Sequence, residues 1–227
     1  MIPIRDDAPR STTPFVNYFL IVLNILVFLF QASLSPRAEA GFVASFAFVP
    51  YRVDQWLGGQ APASYAIVPA FTSMFLHGSW WHVLGNMWFL FIFGDNVEDR
   101  LGHFRYLVHY LLCGLAGTLT HFVFNINSPV PTVGASGAIA GVLGAYFVLY
   151  PAARVLTWFG FFVLWLPAWL VLGYWFVLQF LSGAAGQIYA PRGGGGIAFW
   201  AHVGGFLTGM LLVKLLPVRR PAYSFED

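Results

Sequence analysis

Six apolar runs, separated by stretches rich in proline, glycine or charge, leave this chain few solvents to fold in other than a lipid bilayer. They fall at about residues 15–31, 81–93, 104–124, 136–150, 155–181 and 197–216. A helix crosses the hydrocarbon core with about 20 apolar residues and a lower limit near 17. The first run sits at that limit, and the second reaches it by continuing back to Thr72. Within lipid every backbone N–H and C=O must be satisfied by the protein itself, so such runs are helices packed together. The expected fold is an all-α polytopic membrane protein with six transmembrane helices.

Composition agrees. Of 227 residues, 59% are hydrophobic and 9% charged, where a soluble domain carries about 25% charged residues. The net charge of +2 points to no nucleic-acid partner. Cys113, the one cysteine, lies in an apolar run, so no intramolecular disulfide can form. The opening Met-Ile-Pro-Ile-Arg-Asp-Asp is too polar for a signal peptide, and the first run is expected to be an uncleaved anchor. Residues 32–71 carry prolines, glycines and four charges, yet also Phe42, Phe46, Phe48, Val49, Trp56 and Leu57. This long first loop reads as partly ordered structure lying in the membrane interface, with a flexible outer loop as the alternative. Residues 94–102 read as a tight polar connector.

The expected organisation is a short N-terminal segment, 1–14, one membrane domain, 15–216, and a tail, 217–227. With six spans both termini share a side. Arg5, Arg10, Arg100, Arg105, Arg154, Lys214, Arg219 and Arg220 fall on that side, and Arg37, Arg52 and Arg192 on the other. Cytoplasmic loops carry the excess of basic residues, so both termini are expected in the cytoplasm. A chain without a targeting extension suits a prokaryotic inner membrane.

On this topology the fourth and sixth spans both run inward from the outer side. Ser136, in Gly134-Ala135-Ser136-Gly137-Ala138, opens the fourth, and His202, in Ala201-His202-Val203-Gly204-Gly205, lies just inside the sixth. Polar groups are costly in a bilayer and usually functional there. Here topology brings a nucleophile and a base to similar depth. A helix N-terminus also offers free N–H groups to an oxyanion. Gly205 and Gly209 form one small-residue face, and Gly137, Gly141 and Gly144 another, which permits close helix contact. Each residue also has a plainer reading: Ser136 as a helix cap among packing glycines, and His202 as a hydrogen-bonding contact between helices.

None of the nine acidic residues lies in the fourth, fifth or sixth span, which favours a Ser–His dyad over a triad. His77, His82 and Asn86 form a third constellation. His82 and Asn86 are four apart on one helix face, and both can donate hydrogen bonds to an oxyanion. A polar seam between helices is the alternative. The His-Glu-x-x-His pattern of zinc proteases is missing, and neither a metal nor an organic cofactor is implied. The fifth span carries Trp158, Trp165, Trp169 and Trp175, and the Gly193–Gly196 loop follows it. Loose packing there suits a lateral gate; lipid-facing aromatics are the plainer reading.

Taken in order, these motifs resemble the rhomboid family of intramembrane serine proteases over about residues 72–209. The resemblance implies a six-helix rhomboid-like bundle around a water-filled cavity open to the outside. It implies Ser136 as nucleophile, His202 as general base, and His82, Asn86 and the Ser136 amide as oxyanion donors. His77, Gly134, Gly137, Gly205 and Gly209 then have supporting roles. Glu98-Asp99-Arg100 resembles the family's acid-x-Arg element, expected to support the first loop. Substrates would be single-span membrane proteins, cut near the outer surface at small side chains. Where some members carry an aromatic residue one turn after the serine, packed on the histidine, this chain has Ala140. The alternative function is a catalytically silent adaptor that binds membrane-protein clients.

Overall fold

The computed structural model describes residues 1–189 and 198–219. It is a polytopic helical membrane bundle built from α1 (Phe15–Ser33), α5 (Trp80–Leu101), α6 (His103–Phe124), α7 (Ser136–Leu149), α8 (Ala168–Tyr189) and α9 (Phe199–Leu215). By length and composition α1, α6 and most of α8 suffice to cross a membrane. The first loop is ordered as α2 (Pro36–Phe46), α3 (Pro50–Leu57) and α4 (Ser64–Thr72), followed by a single 3₁₀ turn.

At the centre stands α7, which is buried continuously from Gly137 to Tyr146 and packs against α5, α6 and α9. Its 14 residues span only about 21 Å, short of the roughly 30 Å hydrocarbon core. Ser136, its first residue, is half-buried and lines a cavity. Small residues make the close packing possible. A Cβ on Gly205 would collide with the Gly137 carbonyl, and one on Gly209 with the Gly141 carbonyl. On α7, Gly144 meets the Phe206 backbone and Gly141 meets Cys113 of α6.

Asn17, Leu20, Asn24, Phe28 and Gln31 of α1 are buried, while Phe19, Val22, Leu26 and Phe30 are exposed. The polar members recur every seventh residue. Asn17 accepts from the Tyr106 hydroxyl at 2.7 Å and donates to the Leu90 carbonyl at 3.1 Å. Gln31 donates to the His77 carbonyl at 2.8 Å. Interhelical hydrogen bonds thus hold α1 where apolar contact alone gives little preference over lipid.

Several boundaries differ from those expected. The second run does not continue back to Thr72. Leu76 is extended, and the Ser79 side chain caps α5 by accepting from the His82 N–H at 3.2 Å. Residues 94–101, expected as a connector, are the last two turns of α5, and Gly102 turns the chain into α6 at a φ of 77°. Those turns tolerate acids because the acids find donors. Glu98, fully buried, accepts from the N–H groups of Val16 and Asn17 at 3.0 and 2.6 Å. It caps the positive end of α1, which has no side-chain cap of its own.

The larger correction concerns the fifth run. It does not enter a helix until Ala168. Before that, β2 (Arg154–Phe159) and β3 (Phe162–Pro167) form an antiparallel hairpin, and β1 (Ile2–Asp6) joins β2 in the order β1-β2-β3. Both strands are runs of aromatic, aliphatic and β-branched residues, a composition that suits strands. Gly160 turns between them at a φ of 60°, and Pro167 stands just before α8. Continuous hydrophobicity hid a strand pair inside what reads as one span. The N-terminal segment is therefore part of a small sheet at one end of the bundle. The same end receives the chain after α9, where Arg219 exchanges backbone and side-chain hydrogen bonds with Arg100. The glycine loop at 193–196 lies outside the described residues.

Two outcomes follow from this packing. Gly205→Val forces α9 away from α7, and overpacking of a tight contact costs about 1–3 kcal/mol. Its thermal midpoint in detergent should drop by several degrees, while Gly41→Ala, with open space around it, should melt with wild type. Asp6, in β1 outside the spanning helices, is pushed up from 3.8 to about 7 by burial, against the lowering effect of the hydrogen bond from Tyr146 and with the nearby Asp95 carboxylate adding to the rise. Folded protein therefore holds this proton where unfolded chain releases it. The stabilisation is complete below about pH 4 and is lost as pH rises to about 7. Relative to Asp6→Asn, which keeps an acceptor for Tyr146, wild type should lose thermal stability between pH 4 and pH 8. Parallel melting profiles would contradict this account.

Candidate active site

Ser136 is set by the turn before α7 and by the first loop together. The backbone of Thr132 pairs with that of Phe48, at 3.1 and 2.7 Å, and the Gly134 N–H donates to the Ser73 carbonyl at 2.9 Å. Gly134 has a φ of 127°, and a Cβ there would come within 2.7 Å of the His82 ring. Only glycine fits both the backbone and the space. Ser136 is the first residue of α7, so its N–H belongs to the set without intrahelical partners.

His202 lies in the first turn of α9 and is buried, about one turn before the Gly205 contact with α7. Its Nε2 is 2.7 Å from Ser136 Oγ. Its Nδ1 is 2.7 Å from Oε1 of Gln179 on α8. An amide oxygen only accepts, so this contact fits an imidazole protonated at Nδ1, with Nε2 bare to accept from the Ser136 hydroxyl. That is the tautomer a general base requires. Trp175, one turn before Gln179, sets its ring 5.7 Å from the imidazole at 34°. The aromatic packing missing at Ala140 is thus supplied from a different helix.

Across the cavity stand His82 and Asn86 of α5. With Gly78, Thr132, Ser136 and His202 they line a cavity of about 500 Å³. The Asn86 amide donates one hydrogen to Nε2 of His77 at 3.0 Å, which leaves its second hydrogen unengaged among the described residues. His77 is fully buried, and Gln31 of α1 engages both its backbone groups. The His77 and His82 rings meet edge to face at 5.1 Å. Chemically the arrangement offers a nucleophile, a base in the right tautomer, and three donors, the Ser136 N–H, His82 and Asn86, around one space.

Sequence reasoning named Ser136, His202, His82, Asn86 and His77, and these gather at one end of the bundle. Gly134 and Gly137 flank them on the α7 side, and Gly205 and Gly209 lie on the α9 face below. Glu98 and Arg100 do not join them and do not contact the first loop. Glu98 caps α1 and meets the His103 ring, and Arg100 holds the backbone of Arg219, both at the opposite end. The acids there secure the N-terminal segment, with Asp99 accepting from Ser11 and Thr12. Gln179, Trp175 and Gln31 were not anticipated. A polar residue inside an apolar span is the signal for Gln179 and Gln31; Trp175 carries no signal beyond its place in an aromatic-rich run.

A family model described as Rhomboid domain matches residues 64–219. The chain is 33% identical over 169 residues to Rhomboid-like protein 11, chloroplastic, of Arabidopsis thaliana, covering 73% of this chain and 57% of that protein. It is 32% identical over 145 residues to Rhomboid protein 1, mitochondrial, of Saccharomyces cerevisiae, covering 61% and 39%. With Rhomboid protease GluP of Bacillus subtilis it shares 39% identity over 93 residues, covering 35% and 17%. The chain thus spans little more than half the length of the Arabidopsis relative and less of the other two.

The cramped seat of Gly134 yields a direct check. Gly134→Ala imposes a backbone strain of about 1–3 kcal/mol and pushes on His82. Labelling of Ser136 by a fluorophosphonate should slow at least about tenfold, since 1.4 kcal/mol is a decade in rate. Labelling at the wild-type rate would show that the turn does not set the serine.

Proposed function

The chain belongs to the rhomboid family, and we propose that it is an intramembrane serine endopeptidase acting on single-span membrane proteins. The observation that carries this reading is the 2.7 Å contact between His202 Nε2 and Ser136 Oγ, with Nδ1 held by an acceptor. Nε2 takes the hydroxyl proton as Oγ attacks a substrate carbonyl carbon. The oxyanion forms among the Ser136 N–H, His82 and Asn86. His202 then gives the proton to the departing amide nitrogen, the peptide C–N bond breaks, and an acyl-enzyme remains. Water from the cavity adds to the acyl carbon, again with His202 as base, and releases the new carboxyl end.

Two smaller spaces support the choice of substrate. Beside Ser136 a pocket of about 20 Å³ is walled by Met74, Gly114, Thr118, Gly137 and Ala201. It suits a side chain no larger than that of alanine. A groove of about 250 Å³ between α5 and α8, lined by Trp81, Phe89, Ile139 and Trp175, leads to the same Ser136 and His202. Such a lateral opening suits a substrate helix arriving through lipid, with α8 as the movable side. The Bacillus relative is named a rhomboid protease, which agrees with this reading. The site would face the outside of a plasma or inner membrane, with the N-terminal sheet on the cytoplasmic side and the Lys and Arg excess beside it.

In proteoliposomes, wild type should cut a model single-span substrate with alanine before the scissile bond. A phenylalanine there should slow cutting at least about tenfold, an effect of 1.4 kcal/mol. Ser136→Ala should abolish cutting and fluorophosphonate labelling while melting near wild type. A wild type that cuts no faster than Ser136→Ala would instead favour a silent, client-binding member of the family.

A further inference from the structure

The catalytic pair assigned above is a dyad with no carboxylate behind the histidine among the described residues, so something else must choose the tautomer. A neutral imidazole carries its proton on one nitrogen, and only the form protonated at Nδ1 presents a bare Nε2 to Ser136. In the Nε2-protonated form the ring N–H would donate to Ser136 Oγ, and Nε2 could take no proton from it. Burial beside α7 supplies no preference by itself.

We propose that Gln179 is a positioning residue of the active site, holding His202 in the Nδ1-protonated tautomer in place of a catalytic acid. This rests on the reading of His202 as general base. Its Oε1 lies 2.7 Å from Nδ1. Gln179 and Trp175 are four residues apart on one face of α8, so one helix face supplies both the hydrogen-bond acceptor and the ring packed on the imidazole. The ring is therefore held in orientation and in protonation at once. Both residues also line the groove between α5 and α8. A glutamine, unlike an acid, is uncharged, which suits a group placed in an apolar helix at membrane depth. It orients the imidazole while contributing no charge to stabilise an imidazolium. His82 on α5 and His121 on α6 are the titratable rings near enough to act on His202, and neither touches its Nδ1.

The test uses the full chain in detergent or bicelles. Nitrogen-15 NMR of histidine-labelled protein, with His202→Ala to identify the signals, reads the tautomer directly and independently of any proteolysis. Wild type should show His202 protonated at Nδ1. Gln179→Met, which keeps length and apolarity, should lose that preference. In cleavage assays Gln179→Met should lower kcat about tenfold, the worth of one such hydrogen bond, with KM little changed. Gln179→Glu should restore kcat at neutral pH. It should also move the acid limb of the pH–rate profile to higher pH, because a carboxylate stabilises the protonated ring. A bare Nδ1 in wild type, an unchanged tautomer in Gln179→Met, or equal kcat in the Met and Glu variants would overturn the assignment. A wild type no more active than Ser136→Ala would count against the endopeptidase reading alone, since the NMR result still decides the role of Gln179.

Discussion

Backbone contact between α7 and α9 is the constraint on which the rest of the bundle depends. Gly137 and Gly141 give their carbonyls to spaces that any side chain at Gly205 or Gly209 would fill. Without a hydrophobic force between helices in lipid, such close contact is a main source of association. It also sets the separation of the two helices that carry Ser136 and His202. A 2.7 Å hydrogen bond between side chains needs their backbones this near, because neither serine nor histidine is long. Stability and the site geometry therefore come from the same glycines.

The two ends of the bundle do different work. At one end buried acids are saturated with donors: Glu98 by the start of α1 and Asp99 by Ser11 and Thr12. That end also holds the sheet and the chain leaving α9, tied to Arg100. At the other end the polar groups face a cavity, and among the described residues His82 and Asn86 keep hydrogens free of protein partners. A short α7 connects the two. Its foot is locked in the tight end, with Tyr146 donating to Asp6, and its head lines the cavity at the open one. The first loop steadies that head through the Phe48–Thr132 pairing and does so without the acid-x-Arg element expected to support it.

Part of this architecture is legible in residue spacing alone. The small-residue faces at Gly137, Gly141, Gly205 and Gly209 are written in regular intervals, and the polar residues of the site stand out against apolar surroundings. Other features are present in the chain but obscured. Asn17, Asn24 and Gln31 recur at seven-residue intervals, a polar stripe that marks the inner face of α1. Gly160 and Pro167 punctuate the fifth run, yet hydrophobic strands and hydrophobic helices look alike when only total hydropathy is weighed. Glu98 pointed the wrong way because its neighbours in sequence say nothing about which helix end lies beside it.

What the sequence alone determined was the solvent, the helical class, and the chemical types available: a serine at the start of one apolar run, a histidine near the start of another, and no acid within the last three runs. These follow from local patterns, which hydropathy and helix-end chemistry make legible. What only the tertiary structure decided was which side chain meets Nδ1 of the histidine and which caps α1. Gln179 reaches His202 from 23 positions away, and Glu98 reaches Val16 from 82. Such pairings depend on how helices rotate and slide against each other, and that is settled by the packing of all of them together.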